Sequence, residues 1–324
     1  MKAVIPVAGQ GTRLRPHTHT VPKAMLHVAG KTIIEHILDE VAAVDPDEYI
    51  FIVGHLGDKL RAFLEKRIKK PVRFVVQQEA LGIAHALRQA RDYLLGEPFF
   101  IVLGDTIFQA DLGDVVRGGA SAIGVRVVDD PRRFGVVVLD GDRVAKLVEK
   151  PQTPVSNLAI AGVYYISDPA LMVKSLDRIV EDDIRTRGEY QLTDALQLMV
   201  EAGHEIRTFP IEGWFDCGEP GALLETNRAL LARVEDAPRR PGSIIIPPVW
   251  IDDSAAIQNS IIGPNVSVAG GAIVKDSIVR DSIISEYAAV EALILHGSII
   301  GDRATVQGKP ASLNVGDSSQ VELA

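Results

Sequence analysis

The chain has 324 residues, 24% of them charged and 5% aromatic, a formal net charge of -9 and a single cysteine, Cys217. That length accommodates two domains, or one large α/β domain with an appendage. The acidic balance argues against a general nucleic-acid binder, and one cysteine excludes an internal disulfide and a cysteine zinc cluster. No apolar run is long enough to span a bilayer, and the chain opens on a strand rather than a signal peptide. A soluble, cytoplasmic protein with no membrane partner is expected.

Taken in order, Ala3 to Ala8 reads as a buried strand. It meets Gly9-Gln10-Gly11-Thr12-Arg13, then a loop with Pro16 and Pro22 on either side, then Lys23. Thr32 to Ala43 has helical apolar spacing, Tyr49 to Val53 is a short strand, Asp58 to Lys69 a charged amphipathic helix and Val72 to Val76 another strand. Gln77 to Gly82 is a loop, Ile83 to Leu95 a helix, and Pro98 to Leu103 an apolar run ending in Gly104-Asp105. Strands alternating with helices predict a parallel sheet with helices on both faces. Ligands then sit beyond the carboxyl ends of the strands, which gathers Gly9, Gln77 and Asp105 at one edge.

Ala122 to Val128, Gly135 to Leu139 and Val144 to Val148 read as a more antiparallel region, with Asp140-Gly141 as a hairpin turn. Leu158 to Ile166 is a strand and Pro169 to Leu176 a helix. Arg187 to Asp194 leads into a helix through Glu201; Ile206 to Pro210 is a strand; Gly213 to Gly218 precedes a helix from Pro220 to Val234. The fold class expected is a Rossmann-like α/β domain over residues 1–236, with a mixed, mostly parallel sheet. Glu235 to Gly242, with Pro238 and Pro241, reads as a linker.

Over residues 243–324 the texture changes. Aliphatic residues recur every five to six positions (Ile262, Val268, Val274, Val279, Ile284, Val290) and Ser-Ile-Ile/Val recurs at Ser260, Ser277, Ser282 and Ser298. This is the pattern of a short-period β-solenoid of about three coils; scattered strands of a small sandwich are the alternative. The tail from Ser312 to Ala324 shows no period.

The chemistry-bearing residues cluster at predicted strand ends. Two glycines after a strand turn the backbone tightly and aim N–H groups at an anion, and Arg13 and Lys23 add positive charge. A dinucleotide fingerprint is not met: there is no third glycine at the required spacing, and Pro16 interrupts the helix. No Gly-Lys-Ser/Thr follows either. Asp105 and Asp216 sit where carboxylates could hold Mg²⁺ beside phosphates, or simply cap turns. Lys150 can hold a phosphate and Glu149 can accept from hydroxyls; an exposed ion pair is the plainer reading. Gln77 offers the donor and acceptors that suit a pyrimidine edge. His17 and His19 read as solvated loop residues, and His85 and His296 as ordinary surface or packing histidines.

Together the stretches Gly9-x-Gly-Thr-Arg-Leu-x-Pro with Pro22-Lys23, Gln77 with Leu81-Gly82-x-Ala-His-Ala86, Leu103-Gly-Asp105, Glu149-Lys-Pro151, Ser156-Asn157, Arg187-Gly-Glu-Tyr-x-Leu-Thr-Asp194 and Trp214-Phe-Asp-x-Gly218 resemble, in order, the sugar-phosphate nucleotidyltransferases. The likeness is to the long-type glucose-1-phosphate thymidylyltransferases, which append a left-handed β-helix. The resemblance implies transfer from a nucleoside triphosphate to a sugar 1-phosphate, releasing pyrophosphate, with Mg²⁺ as cofactor and a homo-oligomeric assembly. It implies that Ala8, Gly9, Gly11 and Thr12 wrap the triphosphate, that Arg13 holds the departing pyrophosphate and that Lys23 bridges the phosphates. Gln77 and Gly82 would read the base, Asp105 and Asp216 bind Mg²⁺, Glu149 hold sugar hydroxyls and Lys150 the sugar phosphate, with Gly135 and Asn157 extending the sugar side. Gln10 and Lys31-Thr32 depart from the common thymidylyltransferase pattern. dTTP and UTP therefore both stay open as the nucleotide, as does GTP with mannose 1-phosphate. A bifunctional enzyme with an acyltransferase β-helix and a non-catalytic nucleotide-sugar-binding subunit are the competing readings.

Overall fold

The computed structural model describes residues 1–234 and 238–309; the tail from Ser312 and part of the expected linker, Glu235 to Ala237, lie outside them. Two compact units divide the chain, Met1–Thr226 and Asn227–Ala324. The division falls inside the helix Pro220–Leu231 rather than after residue 236. Asn227 explains it: its amide nitrogen donates to the Asn265 carbonyl (3.2 Å) and its amide oxygen accepts from the Ser267 hydroxyl (2.8 Å). No helix among the described residues is long and apolar enough to cross a membrane.

The first unit is built on a nine-stranded sheet. Its strands in chain order are β1 (Lys2–Val7), β2 (Glu48–Val53), β3 (Val72–Val76), β4 (Phe99–Val102), β5 (Ser121–Val127), β6 (Gly135–Asp140), β7 (Arg143–Glu149), β8 (Leu158–Ile166) and β9 (Ile206–Pro210). Across the sheet the order is β3-β2-β1-β4-β8-β5-β9-β7-β6. The pairings β3–β2, β2–β1, β1–β4 and β5–β9 are parallel, whereas β4–β8, β8–β5, β9–β7 and β7–β6 are antiparallel. The sheet is therefore mixed, not mostly parallel. Part of the departure is local: Gly141 and Asp142 join β6 to β7 as a tight hairpin, with Asp140 paired to Arg143, and a hairpin can only reverse direction.

The helices follow their apolar stripes. Ile33, Ile34, Ile37 and Val41 bury one face of α1 (Ile33–Val41), and Thr32 opens it with a capping box: its hydroxyl accepts from the Glu35 N–H while Glu35 reaches back to the Thr32 N–H. The helix expected from Ile83 to Leu95 is two, α2 (Ile83–Gln89) and α3 (Arg91–Leu94), broken at Ala90. The helix expected to end at Leu176 runs on as Pro169–Glu181, because Ile179 continues its buried stripe.

A short antiparallel ribbon completes the unit. Thr106–Gln109 pairs with Gly213–Asp216, setting Asp216 opposite Thr106.

The second unit consists of three four-stranded parallel stacks. Ile244 pairs with Ile261, Ile261 with Ile278 and Ile278 with Ile294, so each coil takes sixteen to seventeen residues, and the described residues form four coils where the sequence pattern predicts about three. Val249, Ile257, Val266, Val274, Val279 and Val290 fill its core. The recurring serines have a shared duty. The hydroxyls of Ser260, Ser277 and Ser282 each donate to the carbonyl two residues back (2.6–2.7 Å), and each accepts an N–H from the next coil, those of Ser277, Leu293 and Ser298. A small hydroxyl at the corner thus satisfies backbone groups that the ladder leaves open.

Candidate active site

Beyond β1 the chain winds through short 3₁₀ turns, Thr12–Leu14, His17–His19 and Lys23–Met25. Fully buried Leu14 and a hydrogen bond from the Thr18 hydroxyl to the Gly11 carbonyl (2.7 Å) pin this loop. At its end the Lys23 ammonium lies 2.9 Å from a carboxylate oxygen of Asp105. The Lys23 side chain is 11% exposed and that of Asp105 48%.

Two cavities adjoin here. The smaller, about 230 Å³, is lined by Ala8, Gly9, Lys23, Gln77, Gly82 and Asp105. Gln77 is buried, and its amide nitrogen reaches the Gly82 carbonyl at 3.1 Å. Gly82 has φ +112°, and a Cβ there would come within 2.4 Å of the Tyr190 carbonyl oxygen. Only glycine fits both that conformation and that approach. Leu81 and Ala84, on either side, exchange backbone hydrogen bonds with Tyr190 (2.8 and 3.0 Å), fixing the loop to a distant part of the chain.

The larger cavity, about 600 Å³, is lined by Arg13, Asp105, Gly135, Glu149, Lys150 and Asp216 among others. Asp105, Ile83, Leu103 and Glu189 belong to both walls. Glu149 is held by the Thr193 hydroxyl at 2.7 Å. A Cβ at Gly135 would lie 2.9 Å from both the Glu149 carboxylate and that hydroxyl, so the glycine makes room for the pair. The Lys150 ammonium is 3.3 Å from Glu149. Its backbone, at φ +42°, is fixed on both sides: the N–H donates to the Phe134 carbonyl (3.0 Å) and the carbonyl accepts from Arg187 (2.7 Å). The ribbon brings Asp216 beside Asp105, with the Cys217 N–H donating to the Asp105 carbonyl (3.2 Å). Arg13 and Asp216 converge over Gly218, whose Cβ would lie 3.0 Å and 2.8 Å from them.

Some expected residues stand apart. Gly11 and Thr12 belong to neither wall, and Thr12 is exposed. Asn157 is exposed outside both cavities, its carbonyl accepting from the Val128 N–H (3.0 Å). Conversely, the larger cavity includes Arg132, Arg133, Phe134, Arg187, Thr193 and Trp214, to which the sequence alone assigned no role. Arg187, Thr193 and Trp214 fall inside the quoted motif stretches. The Arg-Arg-Phe run directly before Gly135 is the mark in the sequence of that part of the wall.

Burial dominates the electrostatics. It raises the Tyr164 phenol far above its ordinary pKa, with Glu149 and Asp105 adding to the effect. It pushes the Cys217 thiol up to about 12, against a bond to Thr226. It also raises half-buried Asp194, opposed by a bond to Thr186 and aided by Glu149. Among the described residues no group of three or more His, Cys, Asp or Glu is placed to hold a metal. A cation at Asp105 and Asp216 would draw two carboxylates from the protein, a set that suits Mg²⁺ sharing substrate phosphates and not a closed protein cage.

Residues 2–233 match the family model described as nucleotidyl transferase. A glucose-1-phosphate thymidylyltransferase of Streptomyces griseus is 31% identical over all of this chain and 99% of its own length. The UTP–glucose-1-phosphate uridylyltransferase AglF of Haloferax volcanii is 35% identical over 71% of this chain and 96% of its own. Among solved structures, a Bacillus anthracis protein described as a glucose-1-phosphate thymidylyltransferase, in complex with sucrose, is 28% identical with a TM-score of 0.63. It covers 74% of this chain and 98% of that one.

Proposed function

Because this chain belongs to the nucleotidyl transferase family, and is a sugar-phosphate nucleotidyltransferase by its relatives, we propose that it joins dTTP and glucose 1-phosphate into dTDP-glucose with release of pyrophosphate. The observation that carries this is the pair of adjoining cavities sharing Asp105. One has glycine backbone, Lys23 and a glutamine, and the other has Glu149, Lys150 and Arg13.

The reaction needs little covalent help. A phosphate oxygen of the sugar phosphate attacks the α-phosphorus, and the bond to the β-phosphate oxygen breaks with its electron pair leaving on pyrophosphate. The nucleophile is already an anion at neutral pH, so no general base is required. The barrier lies in bringing anions together and in line. Lys150 seats the sugar phosphate, Lys23 stands between the phosphates, and Arg13 takes up charge on the departing pyrophosphate. Glu149, its second oxygen held by Thr193, accepts from sugar hydroxyls. Asp105 and Asp216 would hold Mg²⁺, which when bound neutralises phosphate charge. Ala8 and Gly9 offer backbone to the triphosphate; Gly11 and Thr12 are placed to do so only if the loop closes over it.

UTP is the second reading for the nucleotide, supported by the uridylyltransferase relative and by a pocket difference of one methyl, which discriminates by only ~1–3 kcal/mol. Pyrophosphate release measured over a grid of nucleoside triphosphates and sugar 1-phosphates with Mg²⁺ tests both. No release from any pair would reject the function outright. Release in every case greatest with UTP would replace dTTP.

The stacked second unit we read as a left-handed β-helix serving assembly. Ile244 and Ile294 stand 59% and 79% exposed in one ladder, an apolar stripe suited to a subunit contact. Removing residues 243–324 is then expected to lower the oligomeric mass by more than the deleted residues account for.

A further inference from the structure

His85 has no role in the reading above, yet it touches the one side chain given to the base. The amide nitrogen of Gln77 lies 3.1 Å from the Gly82 carbonyl oxygen and 3.0 Å from Nδ1 of His85. A carbonyl can only accept, so the Gln77 atom facing Gly82 is the nitrogen and not the oxygen. That nitrogen has two hydrogens. One goes to Gly82, the other to Nδ1, which is therefore an acceptor on a neutral ring carrying its proton at Nε2. The amide nitrogen of Gln89 stands 3.0 Å from Nε2; a neutral ring accepts at one nitrogen only, and since Gly82 fixes the Gln77 nitrogen, it is the Gln89 amide that turns its oxygen to the Nε2 proton.

The ring's surroundings favour the neutral form. Burial lowers its pKa, with Arg88 and Arg185 acting the same way and Glu79 acting against. The ring also stacks on Tyr190, centroids 6.2 Å apart at 28°, the residue whose backbone clasps the Leu81–Ala84 loop. With both amide hydrogens turned inward, Oε1 is what Gln77 has left for the smaller cavity, and it makes no hydrogen bond among the described residues.

We propose that His85 is a positioning residue that fixes the polarity of Gln77, so that the site presents an acceptor to the nucleobase and selects bases with a ring N–H. Uracil and thymine carry that N–H at N3; cytosine, in the same seat, turns a lone pair toward Oε1. The inference rests on the smaller cavity being the nucleotide's. Without His85 only the Gly82 carbonyl holds the amide, its preferred orientation is weakened by one hydrogen bond, and in the turned-over fraction cytosine gains a donor to meet.

The test is calorimetric binding of UTP, dTTP and CTP, with Mg²⁺, to the wild type, His85→Leu and His85→Asn. Asparagine places an acceptor oxygen near the position of Nδ1 and is expected to keep the wild-type preference. The wild type is expected to bind UTP or dTTP at least about a hundredfold tighter than CTP. The leucine variant is expected to narrow that ratio about tenfold, the worth of one hydrogen bond. Equal weakening of all three nucleotides in the leucine variant would mean a merely structural role and overturn the proposal, as would an asparagine variant no closer to wild type than leucine. A wild type that binds CTP as well as UTP, or no nucleotide, overturns the assignment of the cavity itself, and the proposal with it.

Discussion

The Lys23 ammonium sits 2.9 Å from the Asp105 carboxylate, and Asp105 is a wall of both cavities. In the proposed reaction Lys23 serves the phosphates and Asp105 the metal, so the ion pair would keep each oriented until substrate arrives. The pair is half-exposed on the Asp105 side, so its worth to stability is small. Asp105→Asn and Arg13→Ala are each expected to lower turnover about 10²–10³-fold while the melting temperature stays within a few degrees. Steady-state kinetics beside a thermal melt decide it; turnover near wild type would remove the assigned role.

Gly135→Ala tests the sugar side alone. The new methyl would press on Glu149 and Thr193 at 2.9 Å, tighter than real contacts allow, so the carboxylate must shift. The KM for sugar 1-phosphate is expected to rise about tenfold or more, with that for the nucleotide unchanged. A parallel rise in both would show a general disturbance of the fold.

Cys217 is fully buried with its thiol raised to about 12. At pH 8 it is therefore a neutral thiol out of reach of reagents. Native protein is expected to take up no iodoacetamide over hours, and denatured protein one equivalent. Fast labelling of the native form would contradict the packing around Thr226.

Asp194 carries a buried carboxylate oxygen with no hydrogen-bond partner among the described residues, and its pKa is raised by burial. The sign follows. A carboxyl whose folded pKa exceeds its unfolded one favours the folded state when protonated, and that advantage is lost as pH rises through the folded value. Asp194→Asn is expected to raise the melting temperature at pH 7.5, the gain shrinking toward zero as pH falls to 4. A gain that grows on acidification would reverse the assignment.

Much of the frame could be read from residues alone, because continuous apolar runs such as Phe99 to Val102 and Leu158 to Ile166 leave little choice but buried strands. Gln77, Asp105 and Lys150 lay at the ends of such runs, and the cavities gather them. What escaped reading depends on long-range pairing. Thr106–Gln109 has the β-forming run Thr-Ile-Phe but is only four residues long and follows directly on Gly104-Asp105; it is a strand because Gly213–Asp216 lies against it, and that distant partner is what carries Asp216 to Asp105. Asn157 stands differently: it lies within a quoted motif, while the turn before β8 leaves it outside both walls. His85, read as a packing histidine, packs indeed, yet its ring nitrogen meets the amide of Gln77.

The serine corners of the second unit set how its length can change. Each hydroxyl serves its own coil and the coil after, with the partner in the latter sixteen or seventeen residues away. An insertion of a few residues within a coil would throw every later rung out of step. A whole coil could be added or removed and leave each remaining rung with a partner of the same kind. Evolution and engineering alike can therefore trim or extend this unit only by the turn, as one shortens a chain by links.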